Sequence, residues 1–120
     1  MEPVENVTKR DWLLVALSFA EGPLSPVQLQ KILFLFFHKI PSVPVEFYEF
    51  TPYNYGPFCR EIYTDAEILE IQGMVKIDEG PNRFRQYTIT ASGQDKAVSI
   101  ANSISASEAE HAKKIVKWVK

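Results

Sequence analysis

Cysteine is nearly missing from this chain. Its 120 residues hold one, Cys59, so no internal disulfide can form and a cytoplasmic setting is expected. Histidine is almost as scarce. His38 and His111 stand far apart, and no Cys-x-x-Cys or His-x-x-x-His spacing brings two ligands together, so no metal is expected. No run of apolar residues exceeds the six from Ile32 to Phe37, far short of the ~20 that span a bilayer. No basic segment followed by an apolar stretch opens the chain, so neither a signal peptide nor a membrane partner is expected. A basic excess is missing too. Thirteen Lys and Arg face fifteen Asp and Glu, a net charge of −2, whereas a duplex-binding domain usually carries a basic balance that neutralises phosphates. Glycine-rich phosphate loops, Gly-x-Ser-x-Gly elbows, internal repeats and low-complexity segments are also absent. Glu61 and Asp65, an i, i+4 carboxylate pair, read as repelling surface charges, and Cys59 beside Phe58 reads as a small buried residue. The expectation is a non-enzymatic chain with no cofactor.

What is present is ordinary globular composition, 46% hydrophobic and 23% charged, enough for one domain with one core. Thr8 and Asp11 form a capping pair that opens a helix over about 9–20, with Trp12, Leu13, Ala16, Leu17 and Ala20 on its apolar stripe; Gly22 and Pro23 end it. A second helix, about 26–39, has a stronger start. Ser25 and Gln28 make a capping box, Pro26 suits the first position, and Leu24 and Leu29 stand where a hydrophobic staple closes. Its apolar run predicts burial nearly all round, or on one face with the other offered to a partner. Residues 45–50 alternate as a short strand. A third helix, about 58–72, carries Phe58, Ile62, Ala66 and Leu69 inward, and Gly73 ends it.

A β-hairpin over about 74–90 follows, turning at Gly80-Pro81-Asn82, and then helices over about 93–104 and 108–119. Ser107 with Glu110 reads as the last cap, and Lys113, Lys114, Lys117 and Lys120 complement the last helix's dipole. The chain stops inside that helix without a capping signal, as a fraying end or as the front part of something longer. A homodimer through this helix is one expected assembly. The order of elements predicts an α+β fold, a mainly helical winged helix-turn-helix-like domain with one β-hairpin. The phrase Arg85-Gln86-Tyr87-Thr88-Ile89-Thr90-Ala91-Ser92-Gly93 looks like the wing and exit of many bacterial winged-helix regulators.

In such regulators the helix before the wing enters the major groove. Here that helix has one cation, Arg60, against Glu61, Asp65, Glu67 and Glu70. On a helical wheel Glu61, Asp65 and Glu67 are placed with Arg60 and Thr64, away from the core, where they would oppose a polyanion. The wing's Lys76, Arg83 and Arg85 are the residues left for DNA, with Asp78 and Glu79 beside them.

The densest feature is the stretch from Phe47 to Phe58, with Tyr48, Phe50, Tyr53 and Tyr55 between, closed by Gly56 and Pro57. Gly56 tolerates a sharp turn and Pro57 suits a first helical turn, so the stretch reads as the start of the third helix. About half of its aromatics are assigned to the core, Phe58 first. Tyrosines in such a loop also suit a protein-binding surface, and Asn54 and Tyr55 precede amides able to hold an anion.

Leu29-Gln30-Lys31-Ile32-Leu33-Phe34, then Tyr53-x-Tyr55-Gly56-Pro57, Ile62-Tyr63, and Leu69 with Gly73-Met74-Val75 are similar to the Panacea (SocA-like) domain over residues 12 to 77. The hairpin's exit departs from that domain's usual ending, and Phe34 stands where its helix motif has tyrosine. The resemblance implies an antitoxin or proteolytic adaptor that works by protein contact and has no catalytic residues to carry over. The surface expected to do this comprises Tyr48, Tyr53, Asn54, Tyr55, Arg60, Glu61 and Asp65, and its acidic character suits a basic partner such as a toxin. The alternative is a winged-helix DNA-binding transcriptional regulator working through Lys76, Arg83 and Arg85.

Overall fold

Two of the three predicted capping pairs form, and they set the starts of the first two helices. The structure is a computed structural model that describes residues 7–44, 46–53, 56–81 and 83–120. The Thr8 hydroxyl accepts from the Asp11 amide while the Asp11 carboxylate accepts from the Thr8 amide, opening α1 (Lys9–Ala20). Ser25 and Gln28 do the same for α2 (Pro26–Lys39), with Pro26 in the first turn. Helix α1 is the centre of the molecule. Trp12 through Leu17 are all buried, wider than the predicted stripe, because α2, α3, α4 and α5 all pack against it. Helix α2 instead buries one face, Leu29, Ile32, Leu33 and Phe36, and leaves Phe37 and His38 outside.

Past α2 the structure departs from the sequence reading. Residues 46–50 form no strand, and Val45 lies outside the described residues. The strands come later, as β1 (Thr51–Tyr53) and β2 (Gly56–Phe58), paired antiparallel with Pro52 opposite Pro57. Gly56 and Pro57 therefore belong to a small hairpin and not to a helix start, which gives two hairpins among the described residues where one was expected. Proline's fixed φ suits an edge strand as well as a first helical turn. Helix α3 (Arg60–Ile71) starts two residues later than predicted, from Cys59, whose side chain makes no capping bond. Gln30 replaces that cap. Its buried side chain donates from Nε2 to the Cys59 carbonyl at 3.0 Å and accepts the Cys59 amide on Oε1 at 2.8 Å.

The wing is β3 (Val75–Glu79) and β4 (Arg85–Ile89), in the register Val75 to Ile89 through Glu79 to Arg85. It is bound to the helical body by Leu24, whose amide and carbonyl both bond to Tyr87 at 3.0 Å. The Thr-x-x-Gly exit now has a physical cause. The Thr90 hydroxyl donates to the Gly73 carbonyl at 2.7 Å and accepts the Gly93 amide at 3.1 Å, capping α4 (Ala91–Ala101). A Cβ at Gly93 would lie 2.1 Å from the Met74 carbonyl oxygen, so only glycine fits there. Helix α5 (Ala106–Val119) is capped by Ser105, whose hydroxyl accepts the Glu108 amide, and not by Ser107 as predicted. Its end returns to α1, where Lys120 donates to the Ala20 carbonyl at 2.7 Å.

Candidate recognition surface

Two residues expected on the partner surface are inside the protein. Tyr48 is buried, and its hydroxyl donates to Asp65 Oδ2 at 2.6 Å. Asp65 is 4% exposed, and its other oxygen accepts from Arg10 at 3.3 Å. The reason lies in the spacing. Asp65 sits three residues after Ile62 and four before Leu69, so it shares their inward face. Burial of the Tyr48 phenol, reinforced by its hydrogen bond to Asp65 and that residue's charge, pushes its pKa far above the ordinary value.

The outward face of α3 is consequently not the bare acidic surface that was expected. Glu61 meets Lys9 at 2.6 Å, and Glu67 lies 3.8 Å from Arg85. Glu70 accepts the Ile77 amide at 3.1 Å. Arg60 remains exposed, as does Ile71, at 86%. Of the tyrosines, Tyr53 is 63% exposed on β1, while Asn54 and Tyr55 lie outside the described residues. Phe58 is half-buried; Phe47 and Tyr48 take the core places assigned to it. An aromatic row runs from Tyr53 to Phe58 at 5.2 Å, to Tyr63 at 5.9 Å, and on to a stacked Tyr87 at 6.2 Å. The row joins the small hairpin to the base of the wing.

At the wing all three expected cations are exposed. Lys76 lies 3.5 Å from Asp78, and Arg85 is shared with Glu67. Arg83 holds a left-handed backbone, φ 65°, in a turn closed by the Gly80 amide on the Phe84 carbonyl at 2.7 Å. Phe84 stands 70% exposed beside it, which sequence reasoning missed.

A second surface lies on the outer face of α2, the face that the apolar run left open to a partner. Between α2 and the 46–50 segment lies an open basin of about 910 Å³. Its walls are Phe34, Phe37, Phe47 and Phe50, with His38 set against Phe34 at 4.4 Å. The clue was the aromatic excess on the outer side of α2, facing a loop with Glu46 and Glu49.

Among the described residues no three His, Cys, Asp or Glu stand close enough to hold a metal ion, and no helix is long and apolar enough to cross a membrane. Cys59 is buried.

No protein-family model and no curated protein matches the chain. Among solved structures, that of the hsRosR-S1 complex is similar, with a TM-score of 0.53 and 18% identity, over 90% of this chain and 86% of that one. At that identity the likeness speaks for the fold alone. The chain has an α+β, mainly helical, winged helix-turn-helix-like fold with two small antiparallel hairpins.

Proposed function

We propose that this chain is a winged-helix regulator domain, cytoplasmic and without catalysis of its own, that contacts DNA through its wing. The observation that carries the reading is the wing itself. It follows α3 directly, is fixed to the body through Leu24 and Tyr87, and presents Arg83, Phe84 and Arg85 at its tip. The fold likeness to hsRosR-S1 supports this reading. So does the charge on α3, where Asp65 faces inward and Glu61 and Glu67 are each matched by a cation. Of the carboxylates that the sequence set against a phosphate backbone, Asp65 is turned inward and Glu61 is held by Lys9, while Arg83 stands at the wing in no ion pair among the described residues.

The test is binding to a short random-sequence duplex over a range of salt. Affinity should fall as salt rises, and Arg83→Ala and Arg85→Ala should each lower the salt slope by about one. Absence of binding at low salt would remove the reading.

A second reading is favoured by the aromatic row and by exposed Tyr53: a protein-interaction domain, antitoxin or adaptor, as the Panacea resemblance implies. It lacks the support that the fold likeness lends the first. Its basic-toxin form is also weaker than the sequence suggested, since the acidity of α3 is spent within the chain. Tyr53→Ala, at a position where no core contact is lost, should then abolish capture of a defined protein partner and leave DNA binding unchanged.

A further inference from the structure

We infer that the basin between α2 and residues 46–50 is a docking site for a basic segment of a partner protein, one that presents Lys or Arg beside an apolar side chain. The floor is aromatic. Phe34 meets Phe50 edge-on at 5.4 Å, and Phe37 stacks on Phe47 at 5.7 Å with nearly parallel rings. Ring faces carry negative potential and attract ammonium and guanidinium groups.

The rim has the complementary charge. Glu46, Glu49 and Glu61 line the basin against a single cation, Lys9, and among the described residues neither Glu46 nor Glu49 makes an ion pair. Lys9 shows what the basin accepts. Its ammonium lies 5.3 Å from the centre of the Tyr48 ring and 2.6 Å from Glu61, an aromatic face and a carboxylate together holding one lysine. Phe34, Phe37 and Phe50 line the same basin as Glu46 and Glu49, and among the described residues no lysine or arginine lies over these rings or pairs with these carboxylates. A nucleic acid is a poor occupant, because the rim would face its phosphates with carboxylates. The inference deepens the protein-contact reading and is independent of the wing, whose arginines do not line the basin.

The test uses a fluorescein-labelled peptide of alternating Arg and Leu, with a Glu-Leu peptide as control, and follows anisotropy. The Arg-Leu peptide should bind saturably and the control should not. Glu46→Gln with Glu49→Gln, two exposed changes, should weaken binding about tenfold. Phe37→Ala should weaken it too, whereas Arg83→Ala with Arg85→Ala should leave it unchanged. Equal binding to the Gln variant or failure to saturate would overturn the inference. Because the wing variant is scored on DNA and the Gln variant on peptide, either reading can fail while the other stands.

Discussion

Burying a carboxylate costs several kcal/mol unless other groups replace its water. Asp65 has two such groups, the Tyr48 hydroxyl and the Arg10 guanidinium. They come from different directions, Arg10 from the first turn of α1 and Tyr48 from the segment after α2, so this one side chain joins three parts of the chain. Asp65→Ala should cost about 2 kcal/mol in urea unfolding, mainly because the Tyr48 hydroxyl is left buried without an acceptor. Arg10, whose side chain is 40% exposed, can turn to water and adds less. Asp65→Asn keeps an acceptor for Tyr48 and should cost roughly half as much. The same contact gives the fold a pH limit. The folded-state pKa of Tyr48 is raised, by burial first and then by Asp65. Folding therefore favours the protonated phenol. Its contribution is complete below the ordinary phenol value of about 10 and is lost as pH rises beyond it. Tyr87, also raised by burial, acts in the same direction. Urea midpoints measured between pH 8 and 11 should fall at the alkaline end, and Tyr48→Phe should flatten part of that fall.

At the scale of elements, the pieces that joined two motifs were hidden while the local signals were readable. The Thr8 and Ser25 caps were legible because each is closed within three residues, whatever the rest of the chain does. The hairpin at Tyr53 and Gly56 was not, because Pro57 fits an edge strand and a helix start equally well and only pairing with Thr51 to Tyr53 decides between them. Asp65 was misplaced for a related reason. Charge suggested the outside, and its partners stand 17 and 55 residues away. Gln30 links two stretches that read separately, the Leu-Gln-Lys helix and the Tyr-Gly-Pro turn, by clamping the Cys59 peptide from both sides. Gln30→Leu leaves the buried Cys59 amide without an acceptor, while the Cys59 carbonyl keeps the Ile62 amide at 3.3 Å, so a loss of about 1–3 kcal/mol is expected. Faster hydrogen exchange at the Cys59 amide would locate the damage at the start of α3. A second joint is Gly93. A methyl group there meets the Met74 carbonyl and forces the wing away from α4, so Gly93→Ala should destabilise by about 1–3 kcal/mol, read as a lower melting temperature. Ala at the neighbouring exposed Ser92 should not.

The whole molecule sets a bound on the proposed DNA contact. Net charge is −2, and long-range attraction to a polyanion is therefore weak. The wing contributes Lys76, Arg83 and Arg85, two of them already near carboxylates. With about 0.9 of salt slope for each phosphate neutralised, one chain should give a log–log slope no steeper than about −3. A steeper slope calls for cations beyond one wing, from Arg60 on α3 or from a second copy on the same duplex. One exposed apolar residue that such a contact would cover is Trp118 on α5, 79% exposed beyond the buried Ile115 and Val116. Winged-helix proteins that read two half-sites place them a helical turn apart, so a pair of wings would roughly double the number of neutralised phosphates. The prediction is conditional in a way that a titration can resolve. If wild-type protein shows a slope near −5 or −6, Trp118→Glu should bring it to about −3 and halve the mass seen in light scattering, and the dependence of the melting temperature on protein concentration should disappear. If the wild-type slope is already about −3, the same variant should alter neither slope nor mass, and a single wing acts alone.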